Sequence, residues 1–309
     1  MNTTGLNAGK SVNPTSLLVY KAIGLGIIIL FSLTFNFTSL VVLRRMREIN
    51  PVTRVLLTSM TVADIATAAI FILTFVTTIA DEWIFGERFC SVSGYFGIQV
   101  GTISYLGLPL VNLERFIAVV FPYRYPSLVT VSRARGVVIF TWGSSVMISY
   151  ILCSQQGSIS YKSYLHLCVY GSSNALSLTT TLIFGLLPIL FAVFLCVILY
   201  HVSGRHARQI AAQERIANIN CVNNIERKTF ITFFFMTTCF TVCLTPLTIV
   251  TISHSLKNVQ STNSVWFTCF AQQLALFNSI LNVIVYYWRT KAFRKTVTDT
   301  LSEFKQFIN

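Results

Sequence analysis

Asp64 lies midway along an apolar stretch, residues 55–79, that is long enough to cross a bilayer. A carboxylate at that depth costs on the order of 3 kcal/mol on insertion scales, so a chain that keeps one there is expected to use it. The plain alternative is a protonated Asp held by neighbouring hydroxyls. Hydroxyl and amide groups recur at similar depth in other apolar stretches, at Asn36, Ser104, Asn278, Ser279 and Asn282. Oxygen ligands around one carboxylate suit a hard cation such as sodium, a proton or ordered water, and the residues alone leave all three open.

A second charged set lies at the ends of such stretches. Glu114 and Arg115 follow Cys90 by about 25 residues, roughly 37 Å of helix, which carries them to the opposite membrane face. Glu226 precedes Pro246 by about 20 residues, roughly 30 Å, and reaches that same face. Arg115 is therefore placed to pair with Glu114 locally and with Glu226 across helices, which can latch a closed state. The plain alternative is an interfacial charge cluster worth little. The apolar stretches hold no paired carboxylates, no H-E-x-x-H and no G-x-S-x-G, so an enzyme is not expected and no catalytic residue is assigned.

These side chains need a framework, and composition supplies it. Of 309 residues, 54% are apolar and 11% charged, with a mean hydropathy of +0.67. Soluble proteins carry about 25% charge, so a water-facing surface cannot be built from this supply. A soluble enzyme, a disordered chain and a disulfide-stapled secreted domain are thereby excluded. Seven apolar runs reach the roughly 20 residues that span hydrocarbon: 22–43, 55–79, 92–113, 137–153, 176–200, 229–253 and 264–288. Backbone groups in lipid must bond within their own segment, so these runs are helices. The expected fold is an all-α membrane protein, a seven-transmembrane helix bundle over residues 22–288 behind an N-terminal segment 1–21. Residues 203–228 form a short third inner loop with a helical stretch from Gln209 to Ile219. In the segment 289–309, Phe293, Val297 and Leu301 recur beside Arg294 and Lys295, predicting a short amphipathic eighth helix on the inner leaflet.

Charge fixes the expected orientation. The formal charge of +13 comes from 23 Lys and Arg against 10 Asp and Glu. With the N-terminus outside, the inner side receives 18 of the basic residues and only Lys10, Lys21, Arg88, Lys162 and Lys257 stay outside. That asymmetry is a topology signal, N-terminus out and C-terminus in, rather than a nucleic-acid face. Asn2 then begins a glycosylation sequon on the outer side, whereas the sequon at Asn36 is buried in the first span.

The eight cysteines divide along the same line. Cys90 opens the third span at its outer end and Cys168 lies in the outer loop before the fifth. A bridge between them is the favoured pairing in an oxidising compartment, with Cys153 as a competing partner. Cys196, Cys239, Cys243 and Cys269 fall within spans and are expected to pack as small apolar residues. Pro109, Pro188 and Pro246 interrupt the third, fifth and sixth spans, each removing a backbone hydrogen bond.

Taken in order, these residues resemble the rhodopsin-like (class A) G-protein-coupled receptors across essentially the whole chain. Asn36 matches the first-helix Asn, and Leu56 to Asp64 the second-helix pattern ending in Ala-Asp. Trp83-Ile84-Phe85-Gly86 followed by Cys90 is similar to the family's first outer loop and disulfide. Glu114-Arg115-Phe116 is similar to the Asp/Glu-Arg-Tyr triplet, with Pro122-Tyr123 following. Trp142 and Pro188 match landmarks of the fourth and fifth helices, Phe240-x-x-Cys243-Leu244-x-Pro246 resembles F-x-x-C-W-x-P, and Asn282-Val283-Ile284-Val285-Tyr286 resembles N-P-x-x-Y.

The resemblance implies a plasma-membrane receptor that passes an extracellular signal to a heterotrimeric G protein. Asp64, Ser104, Asn278, Ser279 and Asn282 would form an allosteric sodium pocket, with Asp64 as the sodium ligand and no other cofactor. Glu114, Arg115 and Glu226 would form the inactive-state latch, and Arg115, Pro122, Tyr123 and Tyr286 would serve coupling. Departures stand beside these matches: Leu244 replaces the sixth-helix Trp, Val283 the proline of N-P-x-x-Y, and Cys196 the fifth-helix Tyr. They support an alternative, a receptor-like seven-helix protein that is constitutively active or does not signal.

Amine receptors of this family place an Asp where this chain has Gly97, and opsins a seventh-helix Lys that is absent between Asn258 and Trp288. The expected pocket is neutral, formed by Ile98, Gly101, Thr102, Thr180, Thr181, Leu247, Thr248, Thr251 and Gln272, with Thr74, Phe75 and Thr78 as further candidates. Such walls suit a lipid, a neutral small molecule or a peptide tip. Gly97 and Gly101 form a G-x-x-x-G step whose expected role is close helix packing. His254 is expected to be an interfacial bystander. A transporter is disfavoured by the lack of internal repeats and of intramembrane charge strings, and the partners foreseen are a ligand, a G protein and membrane lipids.

Overall fold

The computed structural model describes residues 14–46, 48–155, 159–169, 175–217, 223–256 and 262–308, with side chains left undescribed over some helical stretches, the longest being 206–217 and 223–230. Ten α-helices occur among them: α1 (Thr15–Arg45), α2 (Pro51–Ala80), α3 (Glu87–Val120), α4 (Tyr125–Leu128), α5 (Val131–Gln155), α6 (Ala175–Thr181), α7 (Leu187–Ala217), α8 (Asn223–Leu256), α9 (Thr262–Arg289) and α10 (Lys291–Ile308). A hairpin of β1 (Ser160–Lys162) and β2 (Leu167–Val169) precedes α6, paired antiparallel with Tyr161 opposite Cys168. Among the described residues, seven helical segments are long and apolar enough to cross a membrane, and each overlaps one of the seven apolar runs.

Local chemistry sets the helix ends. Asn50 caps α2 by accepting from the Val52 amide at 2.9 Å, with Pro51 in the first helical position, where its missing N–H costs nothing. At the other end Asp81 terminates α2 in a left-handed conformation (φ 55°). The fifth span is not a plain helix, as α6 passes into α7 through a π-helical turn, Leu182–Leu186. Pro188 lies just beyond it; a residue without an N–H cannot continue the regular ladder, and the wider turn absorbs the mismatch.

Three expectations need correcting. The helix foreseen within the third inner loop is the continuation of α7, which runs unbroken to Ala217. The apolar stripe of the eighth helix does not simply face lipid: Phe293 and Val297 of α10 are buried against Val42, Met46 and Val283 of α1 and α9. Arg45 also forms an ion pair with Glu303 across the same interface. Lys21, counted among the outer-side charges, is 1% exposed inside the bundle.

The core runs along the bundle axis. Met60, Leu108, Ile189, Ala192, Met236, Phe240 and Leu244 pack together from α2, α3, α7 and α8. Leu244 and Val283, the two departures from the family pattern, are both buried, Val283 within the α1–α9–α10 cluster. The large apolar residues left exposed, among them Leu30, Ile139 and Phe140, are what a lipid-facing surface requires.

Candidate functional site

Cys90, on the first turn of α3, is bonded to Cys168 of β2. This ties the hairpin across the end of the bundle expected to face outward and settles the pairing against Cys153. The hairpin lies so close that a Cβ on Gly94 would stand 2.6 Å from Ile159 Cγ2 and 2.9 Å from the Cys168 carbonyl oxygen. Glycine is required there by contact with backbone, which cannot yield.

Beneath the hairpin is a cavity of about 380 Å³ whose walls come from α2, α3, α5, α6, the π turn, α8, α9 and the hairpin. Ile98, Gly101, Thr102, Thr180, Thr181, Leu247, Thr248, Thr251 and Gln272 all line it, whereas Thr74, Phe75 and Thr78 do not. Thr78 instead bonds back to the Thr74 carbonyl at 2.6 Å. No Asp, Glu, Lys or Arg lines the cavity among the described residues. The Gly97–Gly101 step is a correction: a Cβ at either position would meet nothing within 4 Å, so these glycines widen the cavity rather than admit a neighbouring helix. His254 is also a wall residue, its ring 6.3 Å from that of Tyr164.

The cavity floor reaches the carboxylate layer. Ser104, Asn278 and Ser279 line its lower end, and Ser279 Oγ donates to Asp64 Oδ1 at 2.8 Å. Asn282 Nδ2 donates to Asp64 Oδ2 at 3.4 Å. Two of the expected partners therefore touch the carboxylate, which is 3% exposed. Ser104 Oγ and Asn278 Oδ1 are buried without a hydrogen-bond partner. Asn36 joins the layer indirectly, donating to the Ser32 and Ser279 carbonyls at 2.9 and 3.3 Å.

At the opposite end of the bundle, the one expected to face inward, Arg115 Nε lies 2.9 Å from Glu114 Oε2 and its guanidinium also bonds Thr53. Glu114 Oε1 accepts from Thr53 at 3.2 Å and from the Tyr125 hydroxyl. Burial and the neighbouring Glu114 raise the Tyr125 phenol above its ordinary value, so it stays a donor. Tyr125 was not foreseen. The residue singled out nearby, Tyr123, is 99% exposed, and Pro122 is exposed beside it. Glu226 belongs to α8, but its side chain lies outside the described residues, as does Asn2. Tyr286 packs inward among Leu43, Leu57 and Val111. A further polar link, also unforeseen, joins α3 to α8: Asn112 Nδ2 donates to Thr237 Oγ1 at 2.8 Å, both buried.

The ordered pattern of these residues is matched over residues 35–286 by the family model described as 7 transmembrane receptor (rhodopsin family). The chain belongs to the rhodopsin family of seven-transmembrane receptors. Among curated relatives, this receptor is 26% identical over 274 residues to the trace amine-associated receptor 13c of Danio rerio, covering 85% of this chain and 80% of that one. It is 24% identical over 286 residues to the histamine H2 receptor of Cavia porcellus, covering 89% and 78%. To the alpha-1A adrenergic receptor of Bos taurus it is 31% identical over 152 residues, 46% of this chain and 33% of that one. The alpha-1A adrenergic matches from cattle, dog and human cover only 33%, 52% and 33% of those proteins. In fold, the receptor is similar to squid rhodopsin, with a TM-score of 0.80, 17% identity and coverage of 98% and 92%.

Proposed function

We propose that this receptor sits in the plasma membrane with its N-terminus outside and C-terminus inside, and relays occupancy of the outer cavity to a heterotrimeric G protein. The observation that carries the reading is the continuity of the cavity with the Asp64 layer, from which α9 descends to Tyr286 beside the Arg115 end of α3. A ligand that presses on the floor acts on the helix that also shapes the inner face. Residues 22–288 form the receptor domain, 1–21 the extracellular segment and 289–309 the amphipathic helix and cytoplasmic tail.

The ligand is uncharged or predominantly apolar: a lipid, a neutral small molecule or a peptide tip. The relatives named for amines weigh against this, and the chain's own residues outweigh them, since Gly97 stands where an amine would need a carboxylate and the described walls carry no formal charge. An allosteric sodium ion binds at Asp64, with Ser279 and Asn282 already turned to the carboxylate and the unpartnered oxygens of Ser104 and Asn278 as further candidate ligands on the cavity wall.

G-protein activation at matched surface expression, across the main Gα classes and with Arg115→Ala as control, tests the reading. A signal present in the wild type and absent in the variant supports coupling. An agonist that acts only when its amine is protonated overturns the ligand assignment. The second reading, a constitutively active or non-signalling receptor, is favoured by Leu244 and Val283, which leave neither the sixth-helix aromatic nor the seventh-helix proline in place. Full ligand-independent signalling, or silence under every ligand class, would select it.

A further inference from the structure

A third cluster of ionisable groups lies at the outer end, away from both the floor of the cavity and the inner pair. Lys21 on α1 is 1% exposed, and its ammonium donates to the Leu165 carbonyl and faces His166 Nδ1 at 3.4 Å. His166 is equally buried and presents Nε2 to Asp81 Oδ1 at 3.1 Å. An ammonium has donors only and a carboxylate acceptors only. The imidazole between them is therefore held as the neutral tautomer, accepting at Nδ1 and donating at Nε2. A second proton on Nδ1 would point at the Lys21 ammonium, placing donor against donor and cation against cation.

The surroundings reinforce this. Burial and Lys21 hold His166 below its ordinary value, against the opposing pull of Asp81. Tyr161 of β1 stands with its ring 6.3 Å away, and its phenol is pushed up by burial, Asp81 and Glu82. From α9, Cys269 lies beside Lys21, and Gln273 donates to the Lys21 carbonyl at 3.2 Å. Thr77 of α2 donates to the His166 carbonyl at 2.9 Å. His166 and Asp81 are both left-handed (φ 53° and 55°), a backbone state that His and Asp adopt more readily than most residues with a side chain. The residues flanking His166, Leu165 and Leu167, line the cavity.

We propose that Lys21, His166 and Asp81 form a proton-binding site that holds the turn of the hairpin, residues 162–167, over the cavity at neutral pH and loosens it on acidification, with β2 still tethered to α3 at Cys168. With the turn free, His166 titrates at its ordinary value near 6.5; closed, it titrates lower. The closed arrangement therefore loses stability as pH falls below about 6.5, and the loss is complete at the lower, closed-state value. The site works whether or not the chain couples to a G protein, and its ligand is the proton alone.

Hydrogen exchange of the full chain in lipid nanodiscs tests this, read over residues 159–169 at about pH 7.5 and about pH 5.5. Dividing each rate by that of His166→Asn at the same pH cancels the intrinsic pH dependence of exchange. The wild-type ratio should rise several-fold, up to about tenfold, between these two pH values, while peptides from α2 and α3 stay flat. Lys21→Met, which removes the opposing cation, should keep the hairpin protected in acid. An unchanged wild-type ratio overturns the proposal. A second measurement stands apart from the variants' folding: the His166 ring signal of 13C-histidine-labelled wild type. Titration there at or above 6.5 with the hairpin still protected overturns the proposal equally.

Discussion

At the scale of single residues, Asp64 is held by two donors, Ser279 and Asn282, while Ser104 Oγ and Asn278 Oδ1 on the cavity wall are buried without a hydrogen-bond partner. A site filled to a hundred times its dissociation constant gains about 2.7 kcal/mol. Raising sodium chloride against choline chloride should therefore lift the thermal midpoint of the wild type and leave Asp64→Asn unmoved; equal shifts contradict a sodium site there. Gly94 gives a sharper steric case, because its neighbours include the Cys168 backbone. Gly94→Ala should cost about 1–3 kcal/mol in unfolding experiments by forcing the hairpin off α3. Asp64, Ser279, Asn282 and the Cys90–Cys168 pair were legible in the sequence because a polar group in hydrocarbon, or a cysteine at a span end, stands out by depth alone. Lys21, His166 and Asp81 were not, since their meeting depends on a loop folding back over the bundle, which no spacing within one helix encodes.

At the scale of helices, the inner halves of α3 and α8 are joined by Asn112 and Thr237. Interhelical hydrogen bonds in membranes are worth about 0.6 kcal/mol on average. Asn112→Ala should accordingly raise basal signalling roughly two- to threefold if separation of these helices accompanies activation. Glu226→Ala should raise it further if Glu226 latches Arg115; unchanged basal activity at matched surface expression removes the latch. The seven spans were readable from apolar run length, and their boundaries less so. Helix α1 begins at Thr15, directly after the extended Pro14 and ahead of the apolar run, and α7 extends to Ala217 because its polar continuation remains a good helix former. The π turn before Pro188 carries no composition signal. The Gly97–Gly101 step misled for a physical reason: the same spacing serves helix contact or an open wall, and only the neighbouring helix's distance decides between them.

At the scale of the whole molecule, the outer disulfide and hairpin close a neutral cavity, the cavity rests on the Asp64 layer, and α9 links that layer to Tyr286 near Arg115. The helix α10 docks on α1 and α9 through Phe293 and Val297, so the inner end of α9 is braced from outside as well. Filling the cavity should therefore act at both ends: Gly101→Leu, which places a side chain in open space, should fold normally and lower the potency of any cavity agonist by at least tenfold, about 1.4 kcal/mol. An agonist whose potency is unchanged by Gly101→Leu binds elsewhere. The most direct test of the account is nucleotide exchange on purified heterotrimeric G proteins by the full chain in lipid nanodiscs, wild type beside Arg115→Ala. The account predicts exchange above the receptor-free rate in the wild type, alone or with a cavity ligand, and none with Arg115→Ala. Equal exchange by both proteins, or none from a folded wild type under any ligand, would contradict it.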